Sequence, residues 1–386
     1  MRAGPIALCF FVDALGWETL ERHGDGLRRI APHAYRQRTV LGYSCAAQPT
    51  ILTGLMPNEH GHWGMFYRSG RSEMSPLATF RWLPRVVSYH PRFRRALLNW
   101  HRTRSGFTGY YNLYQIPYEL FAEFDLIEKR DIYAPGGFDE GVDSIFDLLA
   151  ERSVPYRRWT WKSGFEESFG ELKSALSGPE QPAFAMLYTP LIDAFLHEHI
   201  GDEKAVHAAV ARVEEAIADA VRQAREVADE VRVLIFSDHG MARTTGTVDL
   251  MKGIDELGLN QGRDYIAFYD STMARFWFAN GEARERIQGA LDLLDCGDIL
   301  SEETLRSEGV YFEDARFGEL IFLMRPGLLI VPSHMGQQGP RGMHGYTPDH
   351  EDSYAMIMSS EPLEPEPTHI RDTFVALEGL APQASP

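Results

Sequence analysis

Three short apolar runs constrain this chain more than any other feature: IALCFFV ahead of Asp13, FAMLYTPLI ahead of Asp193 and VRVLIFS ahead of Asp238. Each is near-continuously hydrophobic, which predicts strands buried on both faces, as in a parallel sheet. Between and around them lie GFDEGVDSIFDLLAERS and EKAVHAAVARVEEAIADAVRQAREVADE, with apolar residues at three- and four-residue spacing and Glu and Arg on the outer face. Strands alternating with amphipathic helices predict an α/β fold, a mostly parallel sheet flanked by helices. Functional groups in such sheets gather just beyond the carboxyl ends of the strands. One strand ending on Asp is ordinarily a turn or a helix cap; three together point to a site.

Composition narrows the function. With 386 residues, 38 basic and 55 acidic, the chain carries a formal charge of −17. That argues against a nucleic-acid polymer or an anionic membrane as partner, since both need a basic footprint. A small phosphate-containing substrate stays open if the negative charge is uneven or a metal reverses it locally. Cys9, Cys45 and Cys296 have no CxxC spacing, which excludes a cysteine zinc module or disulfide framework and suits a reducing, cytoplasmic compartment. No apolar run reaches membrane-helix length. Ile6–Val12 has no signal-peptide cleavage pattern and reads as the first strand. The oligomeric state is not encoded in any recognisable pattern.

Two segments interrupt the alternation. Residues 66–135 hold 11 Arg or Lys against 6 Asp or Glu, with 15 aromatic residues including Trp82, Trp100, Tyr110, Tyr111 and Tyr114. They read as an inserted basic, aromatic cap, either a subdomain core with a solvated Arg face or a cover that attracts an anion. Residues 261–335 read as a strand (YIAFYDSTMARFWFA), a helix (GEARERIQGALDLL) and a hairpin (FGELIFLMRPGLLIVP), a small α+β subdomain. The catalytic α/β domain then comprises 1–65, 136–260 and 336–386.

The Asp and His positions suggest metal chemistry. Asp193 and His197 are four apart and share one face if the chain turns helical. Asp238 and His239 are adjacent, and His344 sits in GMHGY, between glycines that let the backbone pass close to a site. With Asp13, these six residues furnish two neighbouring sites of three ligands each. Mixed Asp and His donors suit zinc foremost, with manganese or iron as the other candidates. Two divalent ions about 4 Å apart clamp the attacking and leaving oxygens of a phosphoryl displacement. Ser44 precedes a helix-like run ending at Gly54; taken alone it is a helix cap, although a hydroxyl there also meets backbone N–H groups suited to a phosphoryl group.

FFVDALG (10–16), LTGLMPNEHG (52–61), DAFLHEHIG (193–201), SDHGM (237–241) and MHGYTPD (343–349) together resemble the type I phosphodiesterase/nucleotide pyrophosphatase branch of the alkaline phosphatase superfamily, in family order across almost the whole chain. The resemblance implies an alkaline-phosphatase-like sheet flanked by helices and two zinc ions beside a Ser or Thr nucleophile. One ion would be held by Asp13, Asp238 and His239, with Ser44 beside it, and the other by Asp193, His197 and His344. The family nucleophile lies ten residues before the Gly of the TG pair, which assigns Ser44. A sulfatase, with a modified Cys45, is excluded because Ala47 and Pro49 stand where Pro and Arg would be required. Where eukaryotic members have an Asn that holds a phosphate oxygen, this chain has Met65, which leaves the backbone N–H of Cys45 as the default donor. Arg275 is either a bidentate phosphate clamp or an internal partner of Asp270, and His62 is a further substrate-side candidate. The implied activity is cleavage of a phosphodiester or pyrophosphate in a small nucleotide-like molecule through a phosphoseryl intermediate. A phosphomonoesterase or phosphonate hydrolase on the same site, and a non-catalytic metal-binding protein, are the alternatives.

Overall fold

A computed structural model describes residues 4–382 of the chain. Its centre is a six-stranded sheet of β1 (Ile6–Val12), β2 (His33–Gln37), β3 (Tyr156–Trp159), β4 (Phe184–Thr189), β5 (Val231–Phe236) and β6 (Ala355–Ser359). Their order is β2–β6–β5–β1–β4–β3. Only β6 runs against its neighbours; β1 pairs in parallel with both β4 and β5.

The continuous hydrophobicity of β1 follows from this central place. Ile6, Leu8, Phe10 and Val12 enter one core, against helices Phe165–Ser177 and Glu203–Val227. Ala7, Cys9 and Phe11 enter the other, against helices Ser44–Thr53, Ile145–Glu151 and Thr373–Leu380. Each large side chain so buried contributes about 1.5–3 kcal/mol. Glu203–Val227 buries Val206, Val210, Val213, Ile217, Val221 and Ala224, the predicted stripe. Asp202 caps its start by accepting a hydrogen bond from Ala205 N–H at 3.1 Å.

A second, antiparallel sheet lies in the 261–335 stretch, in the order Tyr265–Tyr269, Met273–Phe278, Leu320–Met324, Gly297–Ile299. Two expectations change here. The run YIAFYDSTMARFWFA is two strands turning at Asp270–Thr272, not one. The expected hairpin over FGELIFLMRPGLLIVP does not form. Leu320–Met324 is apolar on both faces and takes a neighbour on each side, while Leu328–Ile330 pairs in parallel with Gly246–Val248.

Within 66–135, Phe66–Arg68 pairs with Phe124–Leu126, and helix Pro91–Ser105 packs beside this ribbon. Its core (Phe66, Leu77, Leu97, Tyr111, Tyr118, Phe121 and Phe124 among others) is continuous with Ile266, Phe268 and Trp277 of the second sheet. Insertion and second sheet therefore share one hydrophobic cluster. Among the described residues no helix is long and apolar enough to cross a membrane.

Candidate active site and metal centre

The site lies beyond the carboxyl ends of β1, β4 and β5. Asp13 directly follows β1, in a turn where Ala14 takes φ 58°. Asp238 and His239 follow β5. A Cβ on Gly16 would stand 2.3 Å from the Gly240 Cα and 2.8 Å from the Tyr354 carbonyl. The loops after β1 and β5 thus touch backbone to backbone, which only glycine allows. Asp193 differs from its expected place: β4 stops at Thr189, and Asp193 lies in the first turn of helix Leu191–His199. The four-residue spacing does bring His197 to the same face, its Nε2 3.3 Å from Asp193 Oδ1. His344 follows a short antiparallel pairing of Gly342–Met343 with Ala242–Arg243, and its ring stacks on His239 at 3.8 Å.

Ser44 is the first residue of helix Ser44–Thr53, which Gly54 ends in the left-handed conformation (φ 73°). Tyr43, not Ser44, is the N-cap residue. The serine hydroxyl is therefore free of capping duty and lies 2.9 Å from His239 Nε2. The next N–H, that of Cys45, lies in the first helical turn, where the helix itself offers no acceptor, and the helix dipole favours an anion there.

The donor atoms converge as cation ligands do. The ligand atoms of Asp193, His197 and His344 lie within 4.8 Å of one another, as do those of Asp13, Asp193 and His239. Asp238 joins the second group, its Oδ2 3.3 Å from His239 Nε2. Each carboxylate keeps one buried oxygen without a hydrogen bond. Asp13 Oδ2 accepts from the Tyr188 hydroxyl while Oδ1 is left over. Asp238 Oδ1 accepts from Ala14 and His239 N–H while Oδ2 is left over. Asp193 Oδ1 is likewise unpaired. The histidines are oriented from behind: Nδ1–H of His197 donates to the Gly342 carbonyl at 2.8 Å and that of His239 to Gly240 at 2.9 Å. Each Nε2 is thereby turned inward, the arrangement of metal-binding imidazoles. Buried acceptors facing buried acceptors fit divalent cations between them.

Electrostatics agree. Burial first, then repulsion from Asp238 and Asp193, holds the Asp13 carboxyl well above its ordinary range. Burial, with repulsion from Asp193, pushes Asp238 up to about 7. Burial also raises Asp193, but the imidazoles of His197, with Nε2 3.3 Å from Oδ1, and of His344 outweigh it whenever they carry a proton and bring it down to about 2. Burial and the neighbouring His239 keep His344 well below its usual value, hence neutral.

The remaining sequence candidates divide. Burial pushes the Cys45 thiol up to about 12, and its Sγ donates to the Trp63 carbonyl, so it is no nucleophile at neutral pH. His62 is not brought to the site: it packs against His60 and Phe138, and burial pushes it down to about 4. Arg275 takes its internal alternative. It is 1% exposed, with Nε bonded to Asp270 at 3.0 Å and Nη1 to the Phe66 carbonyl at 2.9 Å, so no bidentate fork is free for phosphate. Met65 packs against the core of the insertion. Two features were not foreseen. Tyr188, on β4, orients Asp13. Burial first, with Asp193 among the negative groups near enough to add to it, raises the hydroxyls of Tyr110 and Tyr114 from the insertion above their ordinary value. Their aromatic neighbourhood was visible in sequence; its electrostatic reach to Asp193 was not.

A mostly parallel sheet, with carboxylates and imidazoles beyond its strand ends and a serine at a helix start, defines a hydrolase of the alkaline-phosphatase-like fold. The family model for type I phosphodiesterase / nucleotide pyrophosphatase matches residues 7–347, and the chain belongs to that family. Its members are metal-dependent phosphodiesterase or pyrophosphatase hydrolases. Murine ectonucleotide pyrophosphatase / phosphodiesterase 5 shares the fold at TM-score 0.69 and 14% identity, over 99% of this chain and 96% of that one. The human counterpart gives 0.68 and 13%, over 100% and 96%. An inactive form of the murine protein, solved in complex with AMP, gives 0.68 and 14% over the same shares as the human one. No curated protein sequence matches the chain.

Proposed function

We propose that the chain hydrolyses a phosphodiester or pyrophosphate bond in a small nucleotide-like molecule, with Ser44 as nucleophile and two divalent ions, zinc foremost, as cofactors. The observation that carries this reading is the Ser44 hydroxyl, 2.9 Å from His239 Nε2, beside three carboxylates that each keep a buried, unpaired oxygen. Asp13, Asp238 and His239 would hold one ion near Ser44, and Asp193, His197 and His344 the other. Bound there, the ions supply positive charge for the oxygens of a phosphoryl displacement.

The protein's own groups do the rest. The phosphoryl group docks at the start of the Ser44 helix, where the Cys45 N–H and the helix dipole meet its developing charge. Ser44 Oγ forms a bond to phosphorus as the leaving alcohol or phosphate departs. Water then cleaves the phosphoseryl ester and restores the hydroxyl. Tyr110 and Tyr114 form the substrate-side wall, Tyr110 braced edge-on by Trp161 at 5.2 Å. The AMP bound to the murine relative supports a nucleotide-sized ligand. The free Cys9, Cys45 and Cys296 support a reducing compartment.

The test is turnover of a nitrophenyl phosphodiester, a nitrophenyl monoester, a phosphonate and a dinucleotide by purified protein, with and without zinc. A zinc-dependent preference for the diester and dinucleotide is expected. A large monoester or phosphonate preference would move the assignment to that activity on the same site. A Ser44→Ala variant as active as the native protein would remove the nucleophile assignment.

A further inference from the structure

The overall charge of the chain hides a sharp local reversal. Between Glu73 and Glu119 there is no acidic residue, but seven arginines: Arg81, Arg85, Arg92, Arg94, Arg95, Arg102 and Arg104. Arg94 is buried, its Nη2 donating to the Leu113 and Ile116 carbonyls, and is structural. Arg81, Arg92, Arg95 and Arg104 are exposed, and none has an acidic partner among the described residues.

The same segment carries most of the exposed apolar surface. Of the eight large hydrophobic side chains exposed among the described residues, six lie here; apart from Tyr110 (38% exposed) they are Trp82 (80%), Val86 (81%), Trp100 (45%), Val87 (43%) and Leu83 (36%). They form one neighbourhood. Phe80 contacts Trp100 edge-on at 6.3 Å, and the Arg81 guanidinium lies 4.8 Å over the Trp82 ring. Trp82 and Val86 protrude from a 3-10 turn and the short helix Arg85–Ser88.

We propose that this tip of the insertion docks the protein on the surface of an anionic phospholipid bilayer. Trp and Val insert among the acyl-chain ends and headgroups, and the surrounding arginines pair with lipid phosphates. Two observations select this occupant. The arginines, unopposed over 45 residues of an otherwise acidic chain, complement an anionic surface and repel a basic one. The protruding shape suits shallow insertion. The acidity of the remaining surface fixes the orientation, because only this face is attracted.

The experiment is co-sedimentation of the full chain with phosphatidylcholine vesicles, with and without phosphatidylglycerol at about one third of the lipid. The expected result is binding to the anionic vesicles alone, with release by 0.5 M salt, about. Trp82→Ala combined with Val86→Ser should abolish binding, and Arg92→Gln or Arg95→Gln should each weaken it about fivefold. Hydrolysis of a soluble diester should be unchanged in all of them, because these residues lie outside the site. Equal binding to neutral vesicles, no binding to either, or variants that bind like the native protein would overturn the proposal. So would a native dimer in sedimentation that the Trp82→Ala, Val86→Ser variant converts to monomer, which would assign the patch to a second copy of the chain.

Discussion

Replacing Asp238 by Asn should stabilise the protein when metal is withheld and destabilise it when metal is supplied. Asp238 is fully buried, and its Oδ1 accepts two backbone N–H groups that an amide oxygen can equally satisfy. The amide nitrogen would face His239 Nε2, a lone-pair acceptor at the 3.3 Å now separating it from Oδ2. What the substitution removes is charge. With its carboxyl raised from 3.8 to about 7, folded Asp238 holds its proton where the unfolded chain has lost it. The penalty is absent below pH 3.8, grows as pH rises to 7 and is constant above, reaching about 4 kcal/mol. A chain of this length unfolds with an entropy of about 0.8 kcal/mol/K, so 4 kcal/mol is about 5 °C in Tm. Scanning calorimetry in chelator should show the Asn variant about 5 °C above the native protein at pH 8, and about 2 °C above it at pH 5. Asp193, brought down to about 2, contributes a constant over this window. With zinc in excess the order should reverse, because binding to the folded state alone raises its stability. A variant less stable than native at pH 8 in chelator would refute the view of these carboxylates as a repulsive cluster awaiting cations.

Ser44→Ala should lower diester turnover by on the order of 10³-fold or more, with Tm unchanged because Tyr43 rather than Ser44 occupies the cap. Tyr114→Phe should lower kcat/KM for a dinucleotide about tenfold, the loss of one hydrogen bond, with little change in Tm. Arg275→Ala should cost about 3–5 kcal/mol in denaturant unfolding, because it strands the buried Asp270 carboxylate; a purely kinetic defect would instead restore the phosphate-clamp role. Gly16→Ala should abolish metal-dependent stabilisation in calorimetry, since the loops after β1 and β5 would be forced apart.

The sequence carried much of the fold and most of the candidate site, for identifiable reasons. The strand beneath Asp13 was legible because β1 is buried on both faces and so cannot hold a polar residue until it ends. The Asp193–His197 pair was legible because helical periodicity alone sets two side chains four apart on one face. Asp193 was placed a few residues off, since apolar Leu191 and Ile192 look like strand while belonging to the next helix. His62 and the phosphate-clamp alternative for Arg275 fall away for a common reason: a polar residue near a motif in sequence is near a site in space only if packing makes it so. Here packing sends His62 to Phe138 and Arg275 to Asp270.

By itself, then, the sequence determined the alternation of strands and helices, the residue types needed to hold divalent ions, and the family. Those follow from local periodicity, hydrophobic burial and motif spacing, which one dimension records. Tertiary structure alone decided which oxygens are left unpaired, that Tyr188 orients Asp13 and that the insertion shares a core with the second sheet. It also decided that Tyr110 packs edge-on against Trp161 while Trp82 and Val86 face outward. Each of these depends on contacts between residues tens to hundreds of positions apart, and the chain specifies such contacts only through its whole folded packing.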